Sequence, residues 1–127
     1  MDDSTELNVT ELEDPWSTRE EAMATARSVA ERAREIYGDV LESVWLYGSR
    51  ARGDHWNESD LDLLLVTSER TPRRDDRYST LVKDVFMEYV GTAKGGFIEI
   101  HVCHTEQFEK WDTMFYRNVR AEALRVA

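Results

Sequence analysis

A single cysteine, two prolines and six glycines are spread over 127 residues, and their scarcity already narrows the field. Cys103 alone cannot build an internal disulfide framework, and its solitude fits a reducing cytoplasm. No apolar run approaches the roughly 18–20 residues that a membrane helix needs, and no signal-peptide pattern opens the chain. Positive charge is also short, with 16 basic against 26 acidic residues and a net charge of −10. Such a surface is repelled by bulk nucleic acid and by anionic lipid. A general nucleic-acid-binding role and a membrane role are therefore disfavoured. Two explanations of the acidity stay open: pairing with a more basic partner, or a high-salt cytoplasm. Hydrophobic residues make up 41% and charged residues 33%, which suits one soluble domain with a single core. No internal repeat or low-complexity tract is present.

The pattern along the chain alternates helical and strand periods. Residues 1–14 are acidic and aperiodic and read as a disordered tail, with a single domain over 15–127. Ser17 and Glu20 match a capping box, with Ser17 as N-cap. From Ala22 through Ala26, Val29, Ala33 and Tyr37 an apolar stripe recurs at helical spacing, and Gly38 suits its C-terminal close. Val40 to Tyr47 reads as a first strand, Ser49 to about Arg52 as a short helix, and Asp60 to Val66 as a second strand. A loop over 67–74 contains Pro72, which marks the approach to a helix carrying Tyr78, Leu81, Val82, Val85, Phe86 and Tyr89. The Gly95-Gly96 turn sets up a third strand, Phe97 to Val102. Thr105 is the expected cap of a helix bearing Phe108 and Trp111. Met114, Phe115, Val119, Ala123, Leu124 and Val126 read as a final helix. The order fits an α/β (α+β) domain with a small mixed sheet flanked by helices.

What is abundant is chemistry within residues 46–66. In a strand, alternate side chains share a face at a rise of about 3.3 Å per residue. Asp60 and Asp62 therefore point the same way, while Leu61, Leu63 and Leu65 take the opposite face; Leu64 and Val66 continue the carboxylate face into buried sheet. Two carboxylates about 4 Å apart repel by roughly 4 kcal/mol at an effective dielectric of 20. A divalent cation with a taste for hard oxygen, such as Mg²⁺, relieves that repulsion. Eleven residues earlier, Gly48 and Ser49 follow an apolar strand. Glycine there permits a tight turn and close backbone approach, suited to phosphate. Ser49 offers a hydroxyl, and Arg50 and Arg52 offer fork-shaped cations for phosphate oxygens. Gly48 and Gly53 have Walker A spacing, but Asp54-His55 stand where that motif needs Lys-Ser/Thr, so a P-loop is rejected.

The string Gly48-Ser49-Arg50-Ala51-Arg52-Gly53 through Ser59-Asp60-Leu61-Asp62-Leu63 resembles the signature of the DNA polymerase β-type nucleotidyltransferase superfamily. Within it, the chain is most similar to the minimal nucleotidyltransferases of MntA type, which often accompany a HEPN-domain partner. The resemblance extends from about residue 20 onward, and residues 47–65 are its diagnostic part. It implies a polymerase β palm-like fold and an NTP, ATP foremost, held at the Gly48-Ser49 turn. It also implies Mg²⁺, two ions, on Asp60, Asp62 and a third carboxylate from a later strand. Glu99 is the only acid on that strand, where the family more often has Asp. It is the candidate third ligand or activator of the acceptor hydroxyl; a solvent-facing strand residue is the plain alternative. Arg52 has a plain alternative too, pairing with a nearby acid.

His101, Cys103 and His104 are poor zinc ligands together, because His104 alternates to the other strand face. Aromatic stripes on the helices read as core, although Trp16, Trp111 and Tyr116 are candidates for an exposed partner patch. The expected activity is Mg²⁺-dependent transfer of an NMP, AMP foremost, to a hydroxyl acceptor. By resemblance that acceptor is a HEPN-type helical partner, the chain acting as a cytoplasmic antitoxin; a homo-oligomer is a further possibility. Two alternatives stand beside it. One is a non-catalytic nucleotide-binding antitoxin, and the other a transferase for an aminoglycoside-like small molecule.

Overall fold

The computed structural model describes residues 13–70 and 75–127. The expected tail up to residue 12, and Pro72 with its neighbours, lie outside the described residues. Helix α1 spans Arg19–Tyr37, and Gly38–Val40 forms a single 3₁₀ turn before strand β1, Leu41–Tyr47. Short helix α2, Ser49–Arg52, is followed by β2, Leu61–Thr67. Helix α3 covers Asp76–Tyr89 and leads to β3, Ile98–His104. Two helices, α4 over Thr105–Lys110 and α5 over Met114–Glu122, precede a two-residue strand β4, Leu124–Arg125. The sheet order is β3-β2-β1-β4. β2 runs parallel to β3, while β1 is antiparallel to both β2 and β4.

Strand β2 is central and its composition shows why. Leu61, Leu63 and Leu65 lie in the larger core with Ala22, Ala26, Val29, Ala30 and Ala33 of α1. The alanines allow the helix to lie close to the sheet. Leu64 and Val66 belong to a second cluster on the opposite face, with Cys103 of β3 and Val119 of α5. The alternation expected for residues 60–66 is therefore what the strand adopts. Every residue of β2 is buried except Asp62, which is half-buried.

Several local expectations shift. Thr18, not Ser17, caps α1: its hydroxyl accepts from the Glu21 amide. Glu21 then accepts from both the amide and the hydroxyl of Ser17, so the capping pair sits one residue later than Ser17 and Glu20. His104, not Thr105, caps α4. Its Nδ1 accepts from the Glu106 amide, while its own amide donates to Gln107. The Thr105 hydroxyl donates to Glu42 instead. Trp111 is the residue that closes α4 rather than a member of it. The last helix stops at Glu122, because the following residues pair with β1: the Val126 amide donates to Val44 O, and the Val44 amide to Ala127 O. Asp14 is not loose. It accepts from the Trp16 amide and pairs with Arg50. Trp16, a candidate for an exposed patch, is 1% exposed in the core, its indole donating to Thr25.

Candidate functional site

The site forms where β1 ends beside the start of β2. Their antiparallel register sets Tyr47 opposite Asp62, and the parallel register of β2 and β3 sets Asp62 beside Glu99. One row across the sheet thus reads Tyr47, Asp62, Glu99. Asp60 lies two residues before Asp62, just ahead of the strand. The register brings Glu99 beside Asp62, and Glu99 is exposed on the edge strand, a position open both to a third ligand and to the plain solvent-facing alternative.

Gly48 explains itself at this point. Its φ is +78°, which side chains disfavour, and a Cβ there would collide with the Asp62 carboxylate at Oδ2. The turn and the acid are fitted to one another. α2 begins at Ser49, the turn's second residue; the Ala51 and Arg52 amides donate to Gly48 O, so Ser49 and Arg50 carry the amides at its open end.

The acids crowd each other. Asp62 is held up from its ordinary value of 3.8 to about 6, first by burial, then by repulsion from Asp60 and Glu99, against relief from Arg50 and Arg52. Desolvation and like charge both oppose ionisation. Tyr47 is also pushed upward, by burial first and then by the Asp62 and Glu99 charges. Carboxylate oxygens are the donors that Mg²⁺ prefers, and a cation would reverse the repulsion that raises Asp62. Among the described residues, however, no three His, Cys, Asp or Glu side chains converge to enclose a metal ion. The donor chemistry fits; the acids do not form a ready-made cage.

The two arginines divide. Arg50, expected at the phosphates, is 2% exposed and turned into the protein. Its Nε donates to Ser59 O at 2.9 Å, and its outer nitrogens donate to Asn57 O and Trp16 O. It pairs with Asp14 at 2.9 Å and lies over the Trp16 ring at 4.8 Å. A side chain so fully partnered has few donors left for a ligand. Arg52 is exposed and pairs with Asp54 at 3.2 Å and Glu122 at 3.3 Å, the acid-pairing alternative named for it.

A feature the sequence hid is a recess against the turn. It is lined by Tyr47, Gly48, Arg52, Phe115, Asn118, Val119 and Glu122. Phe115 meets Tyr47 edge-on with centroids 5.5 Å apart, and meets Tyr116 likewise at 4.9 Å. The two sides of the recess, Tyr47 to Arg52 and Phe115 to Glu122, are at least 63 positions apart in sequence, so only the docking of α5 beside β1 reveals it. Phe115 reads from the sequence as one apolar position of the last helix, yet it is 40% exposed.

A sheet whose Gly-Ser turn presses on a crowded acidic row is the architecture of a nucleotide-transferring domain. The chain belongs to the nucleotidyltransferase domain family, whose model matches residues 26–119. A Methanocaldococcus jannaschii protein named as a protein adenylyltransferase is 37% identical over 60 residues, 47% of this chain and 40% of that protein. The match thus spans under half of that relative's length. Among solved structures, a toxin–antitoxin with AMP-PNP superposes with a TM-score of 0.50 at 11% identity, covering 80% of this chain and 72% of that one. That likeness concerns the fold alone. A nucleotidyltransferase from Sulfolobus solfataricus covers 84% of each chain at 19% identity, with a TM-score of 0.49 too low to bear on the site. No helix among the described residues is long and apolar enough to cross a membrane.

Proposed function

We propose that this protein transfers a nucleotidyl group, AMP from ATP, to a hydroxyl on a partner protein. The observation that carries the reading is the row of Asp62 and Glu99 beside a glycine that no other residue could replace without displacing the acid. In this reading the Gly48-Ser49 backbone and the Ser49 hydroxyl hold the outer phosphates. Arg52 leaves its exposed acid partners to neutralise charge there. The base and ribose enter the recess between Tyr47 and Phe115, with the Asn118 amide at its wall. Asp60, Asp62 and Glu99 would hold Mg²⁺, which when bound supplies charge neutralisation to the triphosphate and its leaving group.

The acceptor oxygen forms its bond to the α-phosphorus as the α–β bridging bond breaks, and pyrophosphate departs. Glu99, at the open edge, takes the hydroxyl proton. Positioning rather than covalent chemistry accounts for most of the acceleration in such transfers.

The name of the Methanocaldococcus jannaschii relative supports a protein acceptor. A HEPN-type helical partner follows from the sequence resemblance, and an excess of ten negative charges suits a basic one. A second reading, a nucleotide-binding antitoxin without turnover, is favoured by one observation: the carboxylates do not converge in this arrangement.

The deciding experiment incubates purified protein, α-phosphate-labelled ATP and Mg²⁺ with lysate of its own host, beside the Asp60→Asn/Asp62→Asn double variant. A labelled protein band that disappears with the variant supports transfer to protein. Label in a small molecule moves the acceptor to the drug-modification class. Nucleotide binding without label supports the second reading.

A further inference from the structure

Arg50 is richly connected, and its connections join the segment that delivers Asp60 to the N-terminal residues Asp14 and Trp16. Its Nε bond at 2.9 Å goes to the Ser59 carbonyl, which shares its peptide plane with the Asp60 amide. A second nitrogen reaches Asn57 O. Between those two carbonyls the loop is closed on itself, the Ser59 amide donating to Trp56 O and the Trp56 amide to Ser59 Oγ. The other side of the guanidinium is anchored in the N-terminal segment. Asp14 pairs with it at 2.9 Å, Trp16 lies beneath it and accepts from it, and Thr25 fixes the indole. Asp14 also faces His55 of the same loop at 3.5 Å.

We propose that Arg50 is a positioning residue: with Asp14 and Trp16 it clamps the turn at 56–59 and so fixes where Asp60 stands relative to Asp62. The catalytic part of this inference rests on the nucleotidyl-transfer reading; the clamp itself does not. Arginine suits this place because its five N–H donors in a planar fork meet four acceptors, the Ser59, Asn57 and Trp16 carbonyls and the Asp14 carboxylate, where a lysine has three. Lysine keeps the charge and loses the fork. Asp14 and Trp16, ahead of α1, thereby become part of the site's scaffold.

The test uses the full chain and three variants, Arg50→Lys, Asp14→Asn and Arg52→Gln. Amide hydrogen exchange, ATP affinity measured in EDTA, and label transfer with Mg²⁺ are read in parallel. For Arg50→Lys, exchange at the Trp56 and Ser59 amides rises at least about tenfold, while the α1 interior keeps its protection. ATP affinity stays within about threefold, and transfer falls about a hundredfold, the scale expected for a misplacement near 1 Å. Asp14→Asn shows the same pattern in weaker form. Arg52→Gln leaves the loop amides unchanged. A loss of ATP affinity in Arg50→Lys with intact loop protection would overturn the clamp and restore Arg50 as a phosphate ligand. Loss of protection throughout the chain would also overturn it, reducing Arg50 to a general brace. If the wild-type protein transfers no label at all, the nucleotidyl-transfer reading falls, while exchange and ATP affinity still decide the clamp.

Discussion

The two faces of one strand have been put to different uses. On one side of β2, Leu61, Leu63 and Leu65 are sealed under α1, whose alanines let it pack closely. On the other, Leu64 and Val66 pack with Cys103 of β3 and Val119 of α5, but Asp62 is left half-open between Tyr47 and Glu99, with Phe115 packed on Tyr47. The sealed face supplies the rigidity that the open face consumes. A carboxylate raised to about 6 is held against its own electrostatics, and only a well-packed strand keeps it there.

The sharpest way to separate the faces is Asp62→Asn. Transfer should be abolished, while thermal unfolding at neutral pH stays unchanged or shifts upward, because the substitution removes a charge that burial and two neighbouring acids oppose. Calorimetry and label transfer on the same preparation check it. A variant with full Mg²⁺-dependent activity would sink the assignment.

The reverse pattern is expected across the strand. Leu63→Ala removes a fully buried side chain and should cost about 2–5 kcal/mol of stability, measured by denaturant unfolding. ATP affinity of the molecules still folded should be unchanged. Phe115→Ala, on a side chain 40% exposed, should cost less, about 1–3 kcal/mol for its two edge-on pairs, yet weaken ATP binding. Equal losses of stability in the two variants would erase the distinction between the faces.

The contrast also marks what the sequence made legible. The sealed face was readable because β2 alternates without interruption and α1 repeats at helical spacing; local pattern and tertiary contact agree there. The pairing of Asp62 with Glu99 came from the family resemblance, which asks for a third carboxylate on a later strand where Glu99 is the one acid. The recess was not legible, since Tyr47 and Phe115 meet through the docking of α5. Nor was β4: Leu124 and Val126 continue the spacing of Val119 and Ala123, and the free edge of β1 overrides that local pattern. Arg50 misled most. Its place in a basic turn suggested phosphate, but a guanidinium beside an aromatic ring, two carbonyls and an acid is held where it is buried.

Acid titration gives a gentler test of the same comparison. The folded Asp62 carboxyl keeps its proton to about pH 6, whereas in the unfolded chain it releases it near its ordinary 3.8. Between those values the folded state binds more protons, so Asp62 makes stability fall as pH rises through that window. Asp62→Asn should flatten this contribution, visible as a difference between wild-type and variant melting curves from pH 4 to 7. Label transfer should show the opposite trend, declining at acid pH as the carboxylate protonates, with a midpoint below the metal-free value of about 6 because bound Mg²⁺ opposes that protonation. Glu99→Gln removes one of the two repelling charges and should move that acid limb downward, even if it slows the reaction.

Arg52 should give the smallest structural effect. Its guanidinium is solvent-exposed and shared between Asp54 and Glu122, and exposed pairs contribute little to stability. Arg52→Gln should therefore melt with the wild type. Glu122 and Asp54 would then lack their counter-charge at the rim of the recess, and Arg52 would no longer be there for the phosphates. If Arg52 meets the triphosphate, ATP affinity falls in the variant and loses much of its salt dependence, since a charge contact is screened by salt. If Arg52 is only a surface partner for the two acids, affinity and its salt slope both stay as they are. That outcome would leave the backbone turn and Ser49 as the whole phosphate site, on the open face of a strand whose other side is closed.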